Sequence, residues 1–218
     1  MSKKITALFI VVIVLQALLG TALGSLADNR TYSVSGYNVN VEIKPDGSAD
    51  IAEKITYSFN GQFNGILRDV DFSLTSGIDN LSVYVEKDGA LTSWKLNSDS
   101  NLDASGDPGT YNYVIDGNLA RLKIFERSSN EDKTFVIKYT LRDVVTKYND
   151  IATFNRKIID SGWDVPIRGI TVDITLPDGA ARDDIKVFGH GPLTGESAII
   201  DERHVRFTLD MLPPGNWM

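Results

Sequence analysis

Histidine and cysteine, which most often supply nucleophiles, general bases and metal ligands, are nearly absent from this 218-residue chain. It contains no cysteine and two histidines, His190 and His204. The missing cysteines exclude a disulfide framework, thiolate metal sites and a cysteine nucleophile. Each histidine is interpreted as a surface residue rather than a general base, and the sequence has neither a Gly-x-Ser-x-Gly nor a His-Glu-x-x-His motif. We therefore predict no catalytic residue and no cofactor.

One pair of carboxylates has a spacing suited to acid–base chemistry. Asp69 and Asp71 flank Val70, so both side chains point to one side of a predicted strand. A glycosidase needs two carboxyl groups that face a sugar across a cleft. A carbohydrate-active hydrolase that uses paired carboxylates is therefore the alternative function, and an exposed strand face is the simpler interpretation.

A polar loop resembles the start of a calcium-binding loop. Asp99, Asn101 and Asp103 place oxygen ligands at alternate positions, as in the first half of such a loop. The sixth position is Ala104 instead of glycine, and the twelfth is Thr110 instead of the bidentate glutamate. Because the glutamate supplies much of the charge, this candidate calcium site is incomplete, and a solvated loop is the other interpretation.

Four aromatic residues admit two interpretations, namely Trp94, Trp163, Phe63 and Tyr148. Exposed aromatic rings can form a platform for carbohydrate, but core packing is their commoner role in a β-sandwich. Trp163 has the most specific surroundings, since Gly162 and Pro166 restrict the backbone on either side. We predict that its ring is largely buried at the edge of the fold.

Alternation of apolar and polar residues dominates the chain from Tyr32 onward. The segment from Tyr37 to Ile43 alternates, Pro45–Ser48 has turn chemistry, and Ile51–Phe59 alternates again. The pattern recurs through the rest of the chain. It predicts an all-β fold: an antiparallel β-sandwich, immunoglobulin-like or jelly-roll-like, with roughly ten to twelve short strands in one domain covering 28–218.

The sequence allows at most one short helix. The candidate is Asp143–Ile159, where Val144, Tyr148, Ile151 and Phe154 recur at spacings of four and three. This spacing places apolar side chains on one face of a helix. We therefore predict one or two helical turns across an edge of the sandwich.

The N-terminus has the pattern of a targeting segment. Two lysines precede Ile5–Leu19, which is apolar and uncharged, and small residues precede both Ser25 and Asp28. The apolar stretch has the length of a signal-peptide core and is shorter than a comfortable membrane span. Residues 1–27 are therefore predicted to be a signal peptide or a signal anchor.

The charge balance excludes one class of partner. The chain has 22 basic and 29 acidic residues and a formal net charge of −7. Nucleic-acid-binding proteins usually have the opposite sign or a dense basic patch. An acidic domain is also poorly suited to lie on anionic lipid headgroups. We predict no nucleic-acid partner.

Several segments together resemble the N-terminal region of an uncharacterised bacterial membrane-protein family, catalogued as domain of unknown function 2207. The resemblance covers about residues 30–217 and rests on segments taken in order, namely Asp46–Ser48, Ile55–Phe59, Gly61–Val70, Gly162–Ile167, Val172–Pro177, Gly191–Gly195 and Leu212–Gly215. Four residues of these segments form a candidate interaction or structural signature: Arg68, Trp163, Asp164 and Pro166. The family has no established catalytic residues to transfer.

The resemblance implies an exported β-domain, at the cell membrane or on its extracellular face. It also implies contact with the membrane, through the N-terminal segment or through a C-terminal transmembrane region that this sequence lacks. The expected function is a non-catalytic binding, sensing or structural module at the bacterial cell envelope. An envelope protein or a glycan is the expected partner.

Overall fold

The computed structural model describes residues 30–97 and 101–218, which form fourteen β-strands and one short 3-10 turn, Arg182–Asp184. The predicted targeting segment 1–27 and Asp99 of the calcium candidate lie outside the described residues. The strands are β1 (Thr31–Ile43), β2 (Ala49–Asn60), β3 (Gln62–Asp71), β4 (Gly77–Lys87), β5 (Ala90–Ser93), β6 (Lys95–Leu96), β7 (Thr110–Asp116), β8 (Leu119–Ser129), β9 (Asp132–Arg142), β10 (Val145–Lys147), β11 (Ala152–Phe154), β12 (Ile167–Thr175), β13 (Glu196–Ile199) and β14 (His204–Leu212). The predicted all-β sandwich class is confirmed.

Eight strands form a large sheet in the order β13-β14-β12-β1-β2-β9-β4-β5. All neighbours in it are antiparallel except β1 and β12, which run parallel with Val34 opposite Ile167 and Val41 opposite Ile174. The two parallel strands are far apart in sequence, so no hairpin dictates their relative direction. The parallel pair β1–β12, near the centre of the large sheet, thus departs from the predicted antiparallel arrangement.

A small sheet has the order β3-β8-β7-β6, and β10 pairs with β11 in a separate hairpin. The pair β6–β7 is parallel. A bulge interrupts β3 at Gly65, whose φ is 154°. A Cβ atom at this position would lie 1.9 Å from the Ile124 carbonyl oxygen, so only glycine fits.

The turn between β1 and β2 follows the prediction. The Lys44 N–H donates to the Ser48 carbonyl at 2.8 Å, and the Ser48 N–H donates to Asp46 Oδ1 at 2.9 Å. Gly47 has a φ of 85°, which glycine adopts without strain. The turn fixes the register of β1 against β2, with Ile43 opposite Ala49. The alternating apolar residues of both strands therefore face the same side.

The predicted helix between Asp143 and Ile159 is wrong. This segment contains the β10–β11 hairpin, and Tyr148 and Ile151, two residues of the supposed apolar face, are more than half exposed at its turn. Asp143 has a φ of 50°, and the N–H groups of Val144 and Val145 both donate to the Gly47 carbonyl. Consecutive β-branched residues favour an extended backbone, so the helical spacing was coincidental.

The small sheet covers only part of the large one. Arg68 of β3 contacts Tyr37 of β1 and Glu53 of β2, and the Tyr111 hydroxyl of β7 donates to the Leu81 carbonyl of β4. The β12–β14–β13 part of the large sheet instead faces 154–158 and the last two residues across a groove. Within residues 30–97 and 101–218, no helix has the length and hydropathy needed to cross a membrane.

Candidate functional site

A carboxylate lies inside the sandwich. Glu53 occupies an inward position of β2 and is 1% exposed. Its Oε1 accepts a hydrogen bond from the Tyr139 hydroxyl at 2.6 Å, and its Oε2 accepts one from the Tyr37 hydroxyl at 2.8 Å. A buried charge without partners is strongly destabilising. The side chains around Glu53 must therefore both solvate it and balance its charge.

Arg68, on the facing strand β3, supplies the balancing charge. Its Nε donates to Glu53 Oε2 at 2.9 Å and its Nη2 to Glu53 Oε1 at 3.1 Å, which is bidentate pairing. Nη2 also donates to the Tyr37 hydroxyl oxygen at 3.0 Å, and Nη1 donates to Asp160 Oδ2 at 3.0 Å and to the Asp69 carbonyl. Arg68 thus joins the small sheet, the large sheet and the segment before Trp163.

The electrostatics of this buried cluster hold Tyr37, Tyr139 and Arg68 each in one protonation state. Burial raises the pKa of Tyr37 well above its usual value, opposed by Arg68 and reinforced by Glu53. Burial and then Glu53 raise the pKa of Tyr139. Burial disfavours the Arg68 cation, but Glu53, Tyr37 and Asp160 together outweigh it and raise the pKa of Arg68. Both tyrosines remain donors and the guanidinium remains charged, so the cluster is suited to structural cross-linking rather than proton transfer.

The space beside this cluster is small. A cavity of about 20 Å³ is bordered by Glu53, Arg68, Tyr139, Arg156 and Asp160, among others. This volume suffices for one water molecule and excludes an organic ligand. The buried ion pair is therefore part of the core and not the wall of a substrate pocket.

Trp163 packs against the buried cluster from outside. Its ring lies 5.7 Å from the Tyr37 ring and 6.3 Å from the Tyr57 ring, measured between centroids. The Arg68 guanidinium carbon is 5.5 Å from the Trp163 ring centroid, within the range of a cation–π contact. The residue is half-buried rather than fully enclosed. Its Nε1 and the Tyr57 hydroxyl are buried and have no hydrogen-bond partner among the described residues.

The structure brings most of the signature residues into one region. Arg68 and Trp163 are in contact, and Asp164 accepts a hydrogen bond from the Tyr32 hydroxyl at 2.6 Å. Gly162 donates its N–H to Asp160 Oδ1 at 2.8 Å, which fixes the turn before the tryptophan. Pro166 is partly buried after this turn, and no polar contact involves its ring.

The other aromatic candidates do not share a surface. Phe63 joins the cluster of Tyr32 and Phe59, with ring centroids 4.8 Å from Phe59. Trp94 is partly buried, and its Nε1 donates to the Phe125 carbonyl at 3.3 Å. Tyr148 is exposed at the turn of the β10–β11 hairpin. A single stacking platform made of these four rings is therefore not formed.

The polar candidates are also dispersed. Asp69 is exposed, 3.8 Å from the Arg121 guanidinium, while Asp71 accepts the Ser73 N–H at the end of β3. His204 is exposed and contacts the Asp201 carboxylate at 2.7 Å. Hydrogen bonds from the Arg203 N–H and from the His204 ring lower the pKa of Asp201. Asp71 lines the small cavity beside Glu53 and Asp160, whereas Asp69 does not.

The described part of the candidate calcium loop forms a turn, and the ammonium group of a lysine binds its carbonyl oxygens. Asn101 Oδ1 accepts the Asp103 N–H at 2.9 Å. The Lys123 ammonium donates to the carbonyls of Leu102 and Ala104 at 2.8 and 2.9 Å. In residues 30–97 and 101–218, no three acidic or histidine side chains gather as a metal site would require. With Asp99 outside these residues, calcium binding stays a prediction.

A groove large enough for a ligand lies over the uncovered part of the large sheet. It measures about 500 Å³, within the usual size range of small-molecule sites. Its floor consists of inward residues of β12 and β14, namely Val172, Ile174, Phe207 and Leu209. Residues 154–158 and the loop 188–193 form its two walls, and Trp217 closes one side. The polar side chains that line it are those of Asn155, Arg156, Lys157, His190, Glu196 and Ser197.

Sequence reasoning missed both the partner of Arg68 and the groove. Glu53 lies in the inward register of β2 between Ile51 and Ile55, and a charge in an apolar register is the signal of a buried pair. Phe188 and Leu193 stand in a glycine-rich loop that alternation rules treat as a connection. Such rules describe strands and do not report which part of a sheet stays uncovered.

Comparison with protein families gives a match that covers most of the chain. A family model described as Predicted membrane protein (DUF2207) N-terminal domain matches residues 33–218. No curated protein gives a significant match.

Solved structures with a similar arrangement include a two-domain M1 zinc metallopeptidase bound to L-arginine, with 9% identity and a TM-score of 0.42. Another is an M1 zinc metallopeptidase from Deinococcus radiodurans, with 10% identity and a TM-score of 0.37. The matches cover 85% and 84% of this chain and 41% and 40% of those proteins. The chain thus spans about two fifths of the length of these structures.

Proposed function

Because the chain belongs to the DUF2207 family of predicted membrane proteins, we propose that it is the extracytoplasmic, non-catalytic binding module of a bacterial envelope protein. The observation that carries this proposal is the groove over β12, β14 and β13. An envelope protein or a glycan remains the expected partner class. Cofactors and nucleic acid have no part in the proposal.

The groove has the composition of a binding site. Its floor is apolar, and burying apolar ligand surface there is favourable by about 25 cal/mol per Å². The polar groups at its margin, Ser197 and Glu196 of β13 and His190 of the loop, can orient a ligand through hydrogen bonds.

Two variants of β13 distinguish binding in the groove from binding elsewhere. Ser197 lines the groove, whereas its neighbour Ala198 is exposed and does not line it. Ser197→Phe should fill the groove, and Ala198→Phe is the matched control with the same added volume. Both variants are expected to keep the wild-type fold, because both positions are exposed.

The measurement is the melting temperature of the full chain in lipid nanodiscs with a panel of envelope glycans, peptidoglycan fragments and apolar peptides. A ligand at a hundred times its Kd stabilises by about 2.7 kcal/mol, which raises Tm by about 5–10 °C. We expect one class of ligand in the panel to raise the Tm of the wild type and of Ala198→Phe, but not that of Ser197→Phe. A panel without effect, or a shift that survives in Ser197→Phe, would contradict the proposal.

The same panel tests the hydrolase alternative. A carboxylate hydrolase would turn over a glycan in the panel, and Asp69→Asn or Asp71→Asn would abolish the turnover. We expect no turnover in any of the three proteins. Reproducible turnover that depends on either aspartate would replace the binding module by an enzyme.

The location can be tested by topology reporters. A phosphatase reporter fused after Asp50 is expected to be active, because this enzyme folds only outside the cytoplasm. A green fluorescent reporter at the same position is expected to be dark when exported through the general secretion pathway. The reverse pair of results would show that the segment 1–27 does not direct export.

A further inference from the structure

Three large apolar side chains stand exposed together at the mouth of the groove. Phe188 is 76% exposed, Leu193 is 102% exposed and Trp217 is 37% exposed, and all three line the groove. We call these residues the apolar rim. Apolar groups gathered on one surface of a folded domain usually mark a contact with another apolar phase.

The backbone presents the rim as one unit. A Cβ atom at Gly191 would lie 3.0 Å from the Trp217 carbonyl oxygen, so the loop and the C-terminal residues approach closely. The Gly195 N–H donates to the Pro192 carbonyl at 3.1 Å and closes a turn around Leu193. The loop therefore holds its two bulky side chains beside Trp217.

The charge around the rim differs from that of the chain. The segments 154–159, 185–195 and 216–218 contain Arg156, Lys157 and Lys186 and no acidic residue, although the chain carries 29 acidic residues and a net charge of −7. Three acidic residues directly adjoin these segments in sequence, namely Asp160, Asp184 and Glu196, and Glu196 also lines the groove. In the part of the chain that the structure describes, Lys157 and Lys186 make no ion pair. The apolar rim is therefore accompanied by two lysines that have no ion-pair partner among the described residues.

Lysine and tryptophan also meet at the rim. The Lys157 ammonium lies 4.8 Å from the centroid of the Trp217 ring. Tryptophan is enriched at the boundary between membrane and water, and basic side chains beside it attract anionic headgroups. Bulky apolar residues on the same surface supply the apolar area that holds a protein in this layer.

We propose that the apolar rim docks on the surface of an anionic lipid bilayer. Phe188 and Leu193 insert into the interfacial layer, Trp217 lies at the level of the headgroups, and Lys157 and Lys186 face the lipid phosphates. The acidic remainder of the domain is repelled by the same surface, so the rim alone sets the orientation. Docking on lipid does not require that the groove holds a ligand.

The cysteine-free sequence permits a direct test with the full chain added to liposomes. Leu193→Cys is labelled with a polarity-sensitive fluorophore, and Leu67→Cys is the matched control, because Leu67 is an exposed leucine of β3 away from the groove. The vesicles are phosphatidylcholine with or without phosphatidylglycerol, and nitroxide-labelled lipids report depth. We expect the label at residue 193 to shift to the blue and to be quenched several-fold more than the label at residue 67.

Separate variants test the attraction between the lysines beside the rim and the anionic lipid headgroups. Lys157→Gln with Lys186→Gln should reduce the quenching at residue 193 in phosphatidylglycerol vesicles several-fold, whereas Lys87→Gln, in the exposed β4–β5 turn, should leave it unchanged. Equal quenching at residues 193 and 67, or no dependence on phosphatidylglycerol, would overturn the proposal. Since the vesicles contain no other protein, protection of residue 193 seen only in cell membranes would instead indicate a protein partner and also overturn it.

Discussion

At the scale of single residues, the pairing of Arg68 with Glu53 is the most demanding feature of the core. Both side chains are almost fully buried, and every hydrogen-bonding oxygen of Glu53 has a donor. Removing one member leaves the other as an unpaired buried charge, which costs about 3–5 kcal/mol. We expect Arg68→Met and Glu53→Leu each to lower the free energy of unfolding by this amount.

The double variant separates pairing from packing. Because apolar residues of similar size can replace a buried pair at little cost, Arg68→Met with Glu53→Leu should cost much less than the sum of the two single changes. Urea denaturation of the four proteins gives the coupling energy. Additive costs would mean that the two charges do not stabilise each other.

The sequence indicated one member of this buried pair and not the other. Arg68 was singled out from the family resemblance, and the structure places it beside Trp163. Glu53 lies within the alternating segment Ile51–Phe59, but the pattern did not identify it as the partner of Arg68. Its partner comes from another sheet, and no local pattern reports which strand will face it. Local rules predict the face of a residue, but not its neighbour across the core.

At the scale of elements, the turn around Trp163 connects the sheets at one end of the sandwich. Gly215 donates its N–H to the Trp163 carbonyl at 2.9 Å, and Asp160 bonds both Gly162 and Arg68. Truncation of a fully buried tryptophan costs about 3–5 kcal/mol. Since Trp163 is half-buried, we expect Trp163→Ala to cost about 2–3 kcal/mol.

Trp217→Ala is the control for this change, because that ring lies at the exposed rim of the groove. It should alter the free energy of unfolding by less than about 1 kcal/mol. Denaturation followed by circular dichroism, which does not depend on tryptophan emission, gives both values. A cost below about 0.5 kcal/mol for Trp163→Ala would favour an exposed ligand platform over core packing.

Strands were more predictable than their connections. The alternation in β1, β2, β9 and β12 marks their inward faces directly. The segment 143–159 was misassigned because four apolar residues happened to fall at helical spacing. The positive φ of Asp143 and the hydrogen bonds from Val144 and Val145 to the Gly47 carbonyl set the backbone of this segment, and Gly47 is distant in sequence.

At the scale of the whole molecule, buried tyrosines couple stability to alkaline pH. The pKa values of Tyr37, Tyr57 and Tyr139 are raised in the folded state, in each case mainly by burial. The unfolded chain therefore loses these protons first, at about pH 10. The stabilisation is fully present below this pH and is lost as the pH rises above it, by about 1.4 kcal/mol per tyrosine and pH unit.

We expect cooperative unfolding at alkaline pH, with tyrosinate absorbance appearing in the same transition as the loss of circular dichroism. Tyr139→Phe has no ionisable group at that position. After correction for its lower stability at neutral pH, its alkaline unfolding transition should lie at higher pH than that of the wild type. Tyr148→Phe is the control, because Tyr148 is exposed. Ionisation of all tyrosines before any loss of structure would contradict this prediction.

The position of β1 has a consequence for the order in which the fold can be completed. This strand is made first, yet it lies at the centre of the large sheet, and its parallel neighbour begins only at Ile167. A chain that is synthesised from its N-terminus therefore carries β1 with one side unpaired until Ile167–Thr175 has been made. Unpaired strand edges recruit other strands, and distant pairings form slowly. Newly synthesised chains are thus most exposed to misassembly between the formation of the β1–β2 hairpin and the synthesis of β12.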